Sequence, residues 1–219
     1  MLIKIIKIYK KESFEGLFNR IKKRYFFYKF KISKKLGFKT ITSSYGVKFT
    51  SNYKDLTFQF YFFGSYGYRY WQYIKNINNP FIFIDIGANQ GLYTIGAAKN
   101  KNCIKCYSFE PVNNTFRYLK KNIYLNLLEK KCILINSAIS EKTGTSIIKQ
   151  INEHSGGATI SKKKNLDDKG RKIFSSKINT ICSKNLDKII KNQNYVPIKV
   201  KIDVEGHELV VISQLMKTK

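Results

Sequence analysis

Two short apolar runs that each end in an acid carry most of the chemistry legible in this chain. Phe83-Ile84-Asp85-Ile86 leads into Gly87-Ala88-Asn89-Gln90-Gly91 and then Leu92-Tyr93-Thr94, and a second run ends at Phe109-Glu110-Pro111. With roughly 20 residues between the turn and the second acid, this is how a nucleotide-containing cofactor is held at the carboxyl edge of a parallel sheet. Glycines let the backbone approach the ligand, and the acid after the second strand accepts hydrogen bonds from ribose hydroxyls. The turn departs from G-x-G-x-x-G in two ways: Asp85 precedes the first glycine, and Asn89 replaces the middle one. A pyrophosphate wants bare amide donors and no nearby anion. The sulfonium and ammonium of S-adenosylmethionine gain from a carboxylate instead. Methyl transfer is therefore favoured over hydride transfer. The expected cofactor contacts are Asp85, Gly87, Ala88, Asn89, Gly91 and Glu110, with Ser137 and Ala138 along the adenine edge.

A second cluster, Lys201-Ile202-Asp203-Val204-Glu205-Gly206-His207-Glu208, lies where a strand runs into a helix. It falls at the same edge of the sheet as Asp85, where open α/β sheets bind ligands. General-base catalysis on a hydroxyl, divalent-metal coordination and helix N-terminal charge complementarity are three open readings. Glu208 suits the last. Asp203, Glu205 and His207 are the catalytic candidates, because two carboxylates are costly to bring together without a task. His154, beside two glycines, is a weaker candidate base, and no metal is assigned.

Alternating strands and helices must position these residues. Strands are expected over Phe81–Ile86, Ile104–Phe109, Cys132–Ile139 and Ile198–Asp203, and helices over Leu92–Lys99, Thr115–Leu127, Leu186–Lys191 and Glu208–Met216. Near-continuous apolar strands in such an alternation imply a parallel sheet covered on both faces. Thr145–Ile160 reads as a hairpin inserted after the third strand, with the basic run Lys162–Arg171 as a loop at its tip. Upstream, Val47, Phe49, Leu56, Phe58 and Phe60 alternate with polar neighbours around Ser51-Asn52 and predict a β-hairpin. Gly64-Ser65-Tyr66-Gly67 then introduces a short helix through Trp71 and Ile74. Earlier still, Leu2, Ile5, Ile6, Tyr9, Leu17, Phe18, Ile21 and Tyr25 recur at helical steps among lysines. The chain thus divides into a basic amphipathic lead over 1–44, a hairpin and short helix over 45–79, and an α/β domain over 80–219.

Composition sets limits around this picture. With 219 residues, 43% of them hydrophobic and 3 prolines, a packed core is expected rather than global disorder. No apolar run approaches the roughly 20 residues of a membrane span. Charges from Lys4 onward speak against a secretory leader and for a cytoplasmic location. The net charge of +27 is spread along the whole chain and is carried mostly by Lys. That fits compositional drift better than a nucleic-acid surface, so nucleic acid is not the expected partner. The amphipathic lead over residues 1–40 is equally consistent with peripheral contact on an anionic membrane and with packing on its own domain. Cys103, Cys106, Cys132 and Cys182 do not form a disulfide scaffold at this length. Strand alternation would send Cys103 and Cys106 to opposite faces, as buried free thiols.

Taken together these residues resemble the FkbM family of S-adenosylmethionine-dependent methyltransferases. The matching pieces are Phe83 to Gly91, Phe109-Glu110-Pro111 with Leu119 and Asn122, Asn136 to Ser140, Gly156-Gly157, the Leu-Asp pair that ends Ile181 to Asp187, and Lys201 to Glu208. The resemblance implies a Rossmann-like class I methyltransferase sheet of seven strands, cofactor binding by Asp85 to Gly91 and Glu110, and O-methylation of a sugar, glycan or secondary-metabolite hydroxyl. Three more strands would be needed after the helix that ends at Met216, so a sheet short of its last three strands is expected. The competing expectation is a catalytically impaired scaffold that serves as a basic module on nucleic acid or membrane. The acceptor and the oligomeric state are not readable from the sequence.

Overall fold

A computed structural model describes residues 14–160, 172–190 and 196–218. The calls on Leu2, Ile5, Ile6, Tyr9 and the basic run 162–171 lie outside them. Four parallel strands form the main sheet: β3 (Phe81–Ile86), β4 (Cys103–Phe109), β5 (Cys132–Ile135) and β10 (Ile198–Ile202), in the order β10-β3-β4-β5. Helices α4 (Leu92–Lys99) and α5 (Asn113–Leu125) connect the first three, and α7 (Glu208–Leu215) follows β10. β4 and β5 step away from β3 on one side and β10 returns on the other. A crevice therefore opens between the ends of β3 and β10, the switch point where such sheets bind ligands.

The alternation along β3 explains its apolar character. Phe81 and Phe83 enter one core, while Ile82, Ile84 and Ile86 enter another on the opposite face. The first core is roofed by α4, α5 and the N-terminal elements: β1 (Thr40–Thr42), β2 (Lys48–Thr50), α2 (Leu56–Phe63) and α3 (Tyr68–Lys75). The second is closed by α6 (Ser183–Ile189) and α7 through Leu186 and Val211. Preceding them all is α1 (Phe14–Lys35), which packs Phe26 and Phe30 against Phe62 of α2.

Three expectations are corrected by this architecture. First, the predicted hairpin over Val47–Phe60 is half right. β2 does pair antiparallel, but with the upstream β1, and 56–63 is helical. Asp55 caps that helix through a 2.7 Å bond from Phe58 N, and Gly64 ends it in the left-handed conformation. Burial at Thr57, Phe58, Tyr61 and Phe62 follows the helical period. Caps and core packing thus override the strand propensity of the segment.

Second, the strand expected over Cys132–Ile139 breaks after Ile135, where Asn136 Nδ2 donates to the Glu110 and Pro111 carbonyls. Beyond the break β6 (Ala138–Ile139) leaves for a second sheet with β7 (Gly144–Ile151), β8 (His154–Thr159) and β9 (Ile173–Ile181), in the order β6-β9-β7-β8. The insertion is a sheet and not a lone hairpin, with its own small core of Val112, Ala138, Ile148 and Ile178. Third, Cys103 and Cys106 are free and buried but share one face, with their sulfurs 3.4 Å apart. The register shifts between Phe81 and Ile82, which face Cys103 and Lys105. The bulge adds one residue, so positions three apart align.

Candidate functional site

The crevice between β3 and β10 deepens into a pocket of about 700 Å³ of empty space, mouth included. Its floor is the carboxyl edge of the sheet: Ile86 and Gly87 after β3, Phe109-Glu110-Pro111 after β4, and Asp203 to Glu205 after β10. Its roof comes from the second sheet through Ser155, Gly156, Ala158 and Ile160, and one wall is Thr57 and Tyr61 of α2. The two floor loops pack backbone to backbone. A Cβ on Gly87, whose φ is +77°, would lie 2.0 Å from the Asp203 carbonyl oxygen, so no other residue fits there.

Glu110 is almost wholly buried and lines the pocket. Its two oxygens accept from Asn89 N and Val112 N, at 2.9 Å each. Burial pushes its carboxyl from an ordinary value of 4.5 up to about 7, against the opposing pull of those two amides. Asn89, at φ +50°, accepts through Oδ1 from Gln90 N and from Ser155 Oγ. Ser137 and Ala138 also line the pocket, at the break that follows β5.

Asp85 is placed differently from the acids of the pocket wall. Its side chain is fully buried, 3.2 Å from Lys201 Nζ on the neighbouring strand and 2.7 Å from Thr94 Oγ1, and it does not line the pocket. Lys201 in turn donates to the Gly87 carbonyl at 2.7 Å and lies 3.7 Å from Asp203. Asp85 thus acts on the glycine turn through Lys201. Ala88 and Gly91 likewise stand behind the lining; Gly91 opens α4, and Leu119 fills the space a Cβ there would need.

All three catalytic candidates converge on the pocket. Asp203 accepts the Tyr66 hydroxyl at 2.6 Å. Glu205 sits at φ +55°, and its carbonyl accepts from Thr159 Oγ1 of the roof at 2.6 Å. His207 has a buried Nε2 with no hydrogen-bond partner among the described residues. Burial lowers its pKa below the ordinary 6.5, so the imidazole is neutral at pH 7. His154 is not in the lining. Glu208 turns back to Gly206 N at 3.1 Å, as an acid at a helix start does. No three His, Cys, Asp or Glu side chains among the described residues gather as a metal site.

Asp55, Thr57, Tyr61, Tyr66 and Ser155 shape the site from outside the motifs legible in the sequence. Asp55 is the most consequential. Besides capping α2, its Oδ1 accepts from Gln90 Nε2 at 2.8 Å and Ser155 Oγ at 3.1 Å, and its Oδ2 from Ser155 N at 2.7 Å. One carboxylate thus joins α2, the glycine turn and the inserted roof. The available signal was an Asp three residues before Phe58 and nine before Gly64, a cap-to-cap helix span.

The Methyltransferase FkbM domain model matches residues 85–218 of this chain. No match is found among curated proteins. Among solved structures, a methyltransferase FkbM from Methylobacillus flagellatus KT is 17% identical over 74% of this chain and 38% of its own, with a TM-score of 0.42. TYW2 from M. jannaschii in complex with AdoMet is 15% identical over 64% and 85%, with a TM-score of 0.36. A transferase from Pyrococcus horikoshii is 20% identical over 45% of this chain, with a TM-score of 0.37; the match spans 36% of that protein's length.

Proposed function

The chain belongs to the FkbM methyltransferase family, and we propose that it moves the methyl group of S-adenosylmethionine to a hydroxyl of a sugar, glycan or secondary metabolite. The observation that carries this reading is the charge of the pocket. In a chain of net charge +27, the lining holds Glu110, Asp203, Glu205 and His207 and, among the described residues, no Lys or Arg. Such a lining selects a cationic ligand and repels phosphate. When bound, S-adenosylmethionine supplies an electrophilic methyl group on a sulfonium.

The residues present fit that cofactor. Glu110 keeps lone pairs for two ribose hydroxyls after accepting from Asn89 and Val112. Ser137 and Ala138 flank the place of the adenine. Gly87 and Asn89 carry the turn against the ligand, and Asp85 holds that turn through Lys201. Asp203 and Glu205 provide the negative field beside them.

For the acceptor, His207 is the general base. Its neutral imidazole, with the proton on Nδ1, takes the hydroxyl proton at the unpartnered Nε2. The alternative of a basic module on an inactive scaffold leaves this acidic pocket without a task.

Titration calorimetry with S-adenosylmethionine, followed by turnover of labelled cofactor on a panel of hydroxylated sugars, tests the reading. Glu110→Ala should abolish the binding heat. His207→Gln should keep affinity within about twofold and lower turnover on the order of 10²–10⁴-fold. No heat from a folded wild-type sample would defeat the cofactor assignment. Equal turnover in His207→Gln would remove His207 as the base.

A further inference from the structure

Helix α1 has two apolar faces, and only one is used by the fold. Phe26, Phe30 and Ser33 face the protein, with Phe26 and Phe30 packed on Phe62. Phe18, Ile21, Tyr25, Tyr28, Ile32 and, just past the helix end, Leu36 are 52–62% exposed. At 100° per residue these six occupy an arc of about 80°, centred about 130° round the helix from the packed face. The stripe does not stop at the helix. Tyr25, Tyr28 and Ile32 also line an open groove with Phe38, Ile41 and Leu125, and Leu127 beyond it is 84% exposed.

Basic side chains border the stripe on both sides. Lys22 lies along one edge and Arg24, Lys31 and Lys35 along the other. The helix as a whole carries six lysines and two arginines against the single acid Glu15. That composition separates the occupants that such a face could take. A second copy of the helix would cover the apolar stripe but would set basic edges against basic edges. A nucleic acid would neutralise the edges but leave Phe18, Ile21 and Ile32 in water. The interface of an anionic bilayer satisfies both at once, with aliphatic and aromatic side chains at the acyl boundary and ammonium and guanidinium groups among the headgroups.

We propose that α1 docks this protein onto an anionic membrane surface, lying in the plane of the bilayer with Phe18, Ile21, Tyr25, Tyr28, Ile32 and Leu36 inserted. The packed face of α1 rests on α2 through Phe62, whereas Thr57 and Tyr61 of α2 face the pocket. Docking therefore engages neither the pocket nor its roof.

The test is sedimentation of the full chain with vesicles of phosphatidylcholine containing about a third phosphatidylglycerol, beside pure phosphatidylcholine. The wild type should pellet with the anionic vesicles and weaken about tenfold or more on raising salt from 0.1 to 0.5 M. Ile21→Ser/Tyr25→Ser/Ile32→Ser should lose about a hundredfold in partitioning. Its urea midpoint should stay close to the wild-type value, because the three side chains are mostly exposed and, apart from the ring contact of Tyr25 with Phe26, lie off the packed face. Arg24→Glu/Lys31→Glu/Lys35→Glu should lose binding to the anionic vesicles alone. Absence of pelleting by folded wild type, equal pelleting with both vesicle types, or undiminished binding by the triple-serine variant would each overturn the proposal. A stripe-dependent dimer in light scattering without vesicle binding would assign the face to a second copy. Salt-sensitive RNA binding unaffected by the triple-serine change, again without vesicle binding, would assign the edges to nucleic acid.

Discussion

Asp55 offers the sharpest test of how the site is assembled. Its carboxylate is buried and accepts four hydrogen bonds, from Phe58 N, Gln90 Nε2, Ser155 Oγ and Ser155 N. In Asp55→Ala the helix cap is lost, at about 1 kcal/mol. Gln90 Nε2 and Ser155 N lose an acceptor inside the protein, at about 1–3 kcal/mol each. The sum is roughly 3–5 kcal/mol after allowing for partial rescue by water, a large share of a typical 5–15 kcal/mol stability. Asp55→Asn keeps the Oδ1 acceptor for the cap and Gln90 but sets an amide donor against Ser155 N, so it should cost about half as much. Urea unfolding gives the two values. Hydrogen exchange locates them: amides from Ser155 to Thr159 should lose protection in both variants, and those of β3 and β4 should not. The reasoning fails if Asp55→Ala costs under about 1 kcal/mol, or if Ser155 exchanges as slowly as in wild type.

Two further outcomes follow from charged groups in and beneath the pocket. Lys201→Met should destabilise by about 3–5 kcal/mol, because it strands the buried Asp85, and Asp85→Asn/Lys201→Met should recover most of that; additive costs in the urea midpoints would show that the pair is not coupled. Glu110, raised to about 7, binds a proton in the folded state that the unfolded chain has released above pH 4.5, so its contribution to stability falls as pH rises from about 4.5 to 7. Ribose hydroxyls bond to the ionised form, so affinity for S-adenosylmethionine should rise from pH 6 to 8, and a calorimetric profile equally steep in Glu110→Gln would refute Glu110 as its source.

How much of this was legible depends on whether the signal was local. Strand β3 reads directly, because Phe81 to Ile86 is buried on both faces and a continuous apolar run is what two covered faces require. Helix α4 has its expected bounds, Leu92–Lys99, between Gly91 and Asn100. Glu110, Asp203, Glu205 and His207 follow strands that end at one edge of the sheet, which is why they line one pocket. Helix α2 was missed because Leu56, Phe58 and Phe60 imitate strand alternation, while the burial that matters falls on Thr57, Phe58, Tyr61 and Phe62. The two-residue strand β6, and with it the inner place of β9 between β6 and β7, depend on the break at Asn136, whose partners are the Glu110 and Pro111 carbonyls. Contacts between residues 100 apart, such as Asp55 and Ser155, leave no trace in local pattern. Lys201 stood inside the recognised motif, but its pairing with Asp85 became visible only once β10 lay beside β3 in register.

The inserted sheet belongs to the site as much as the sheet it covers. Asn89 and Glu205 are non-glycine residues in the left-handed region, at φ +50° and +55°, and both line the pocket. Each such residue costs on the order of 1–2 kcal/mol relative to an ordinary conformation, so something must hold it there. In both cases part of the restraint comes from β8 of the insertion: Ser155 Oγ shares its one proton between Asn89 Oδ1 and Asp55 Oδ1, and Thr159 Oγ1 donates to the Glu205 carbonyl. The same β8 is anchored by Asp55 and by Gly156 N on Thr57 Oγ1, at 2.8 Å. A force that lifts the roof therefore also relaxes the two loops that shape the floor. Cofactor binding, which needs those loops in place, should tighten the insertion onto α2 through contacts that the cofactor itself never makes.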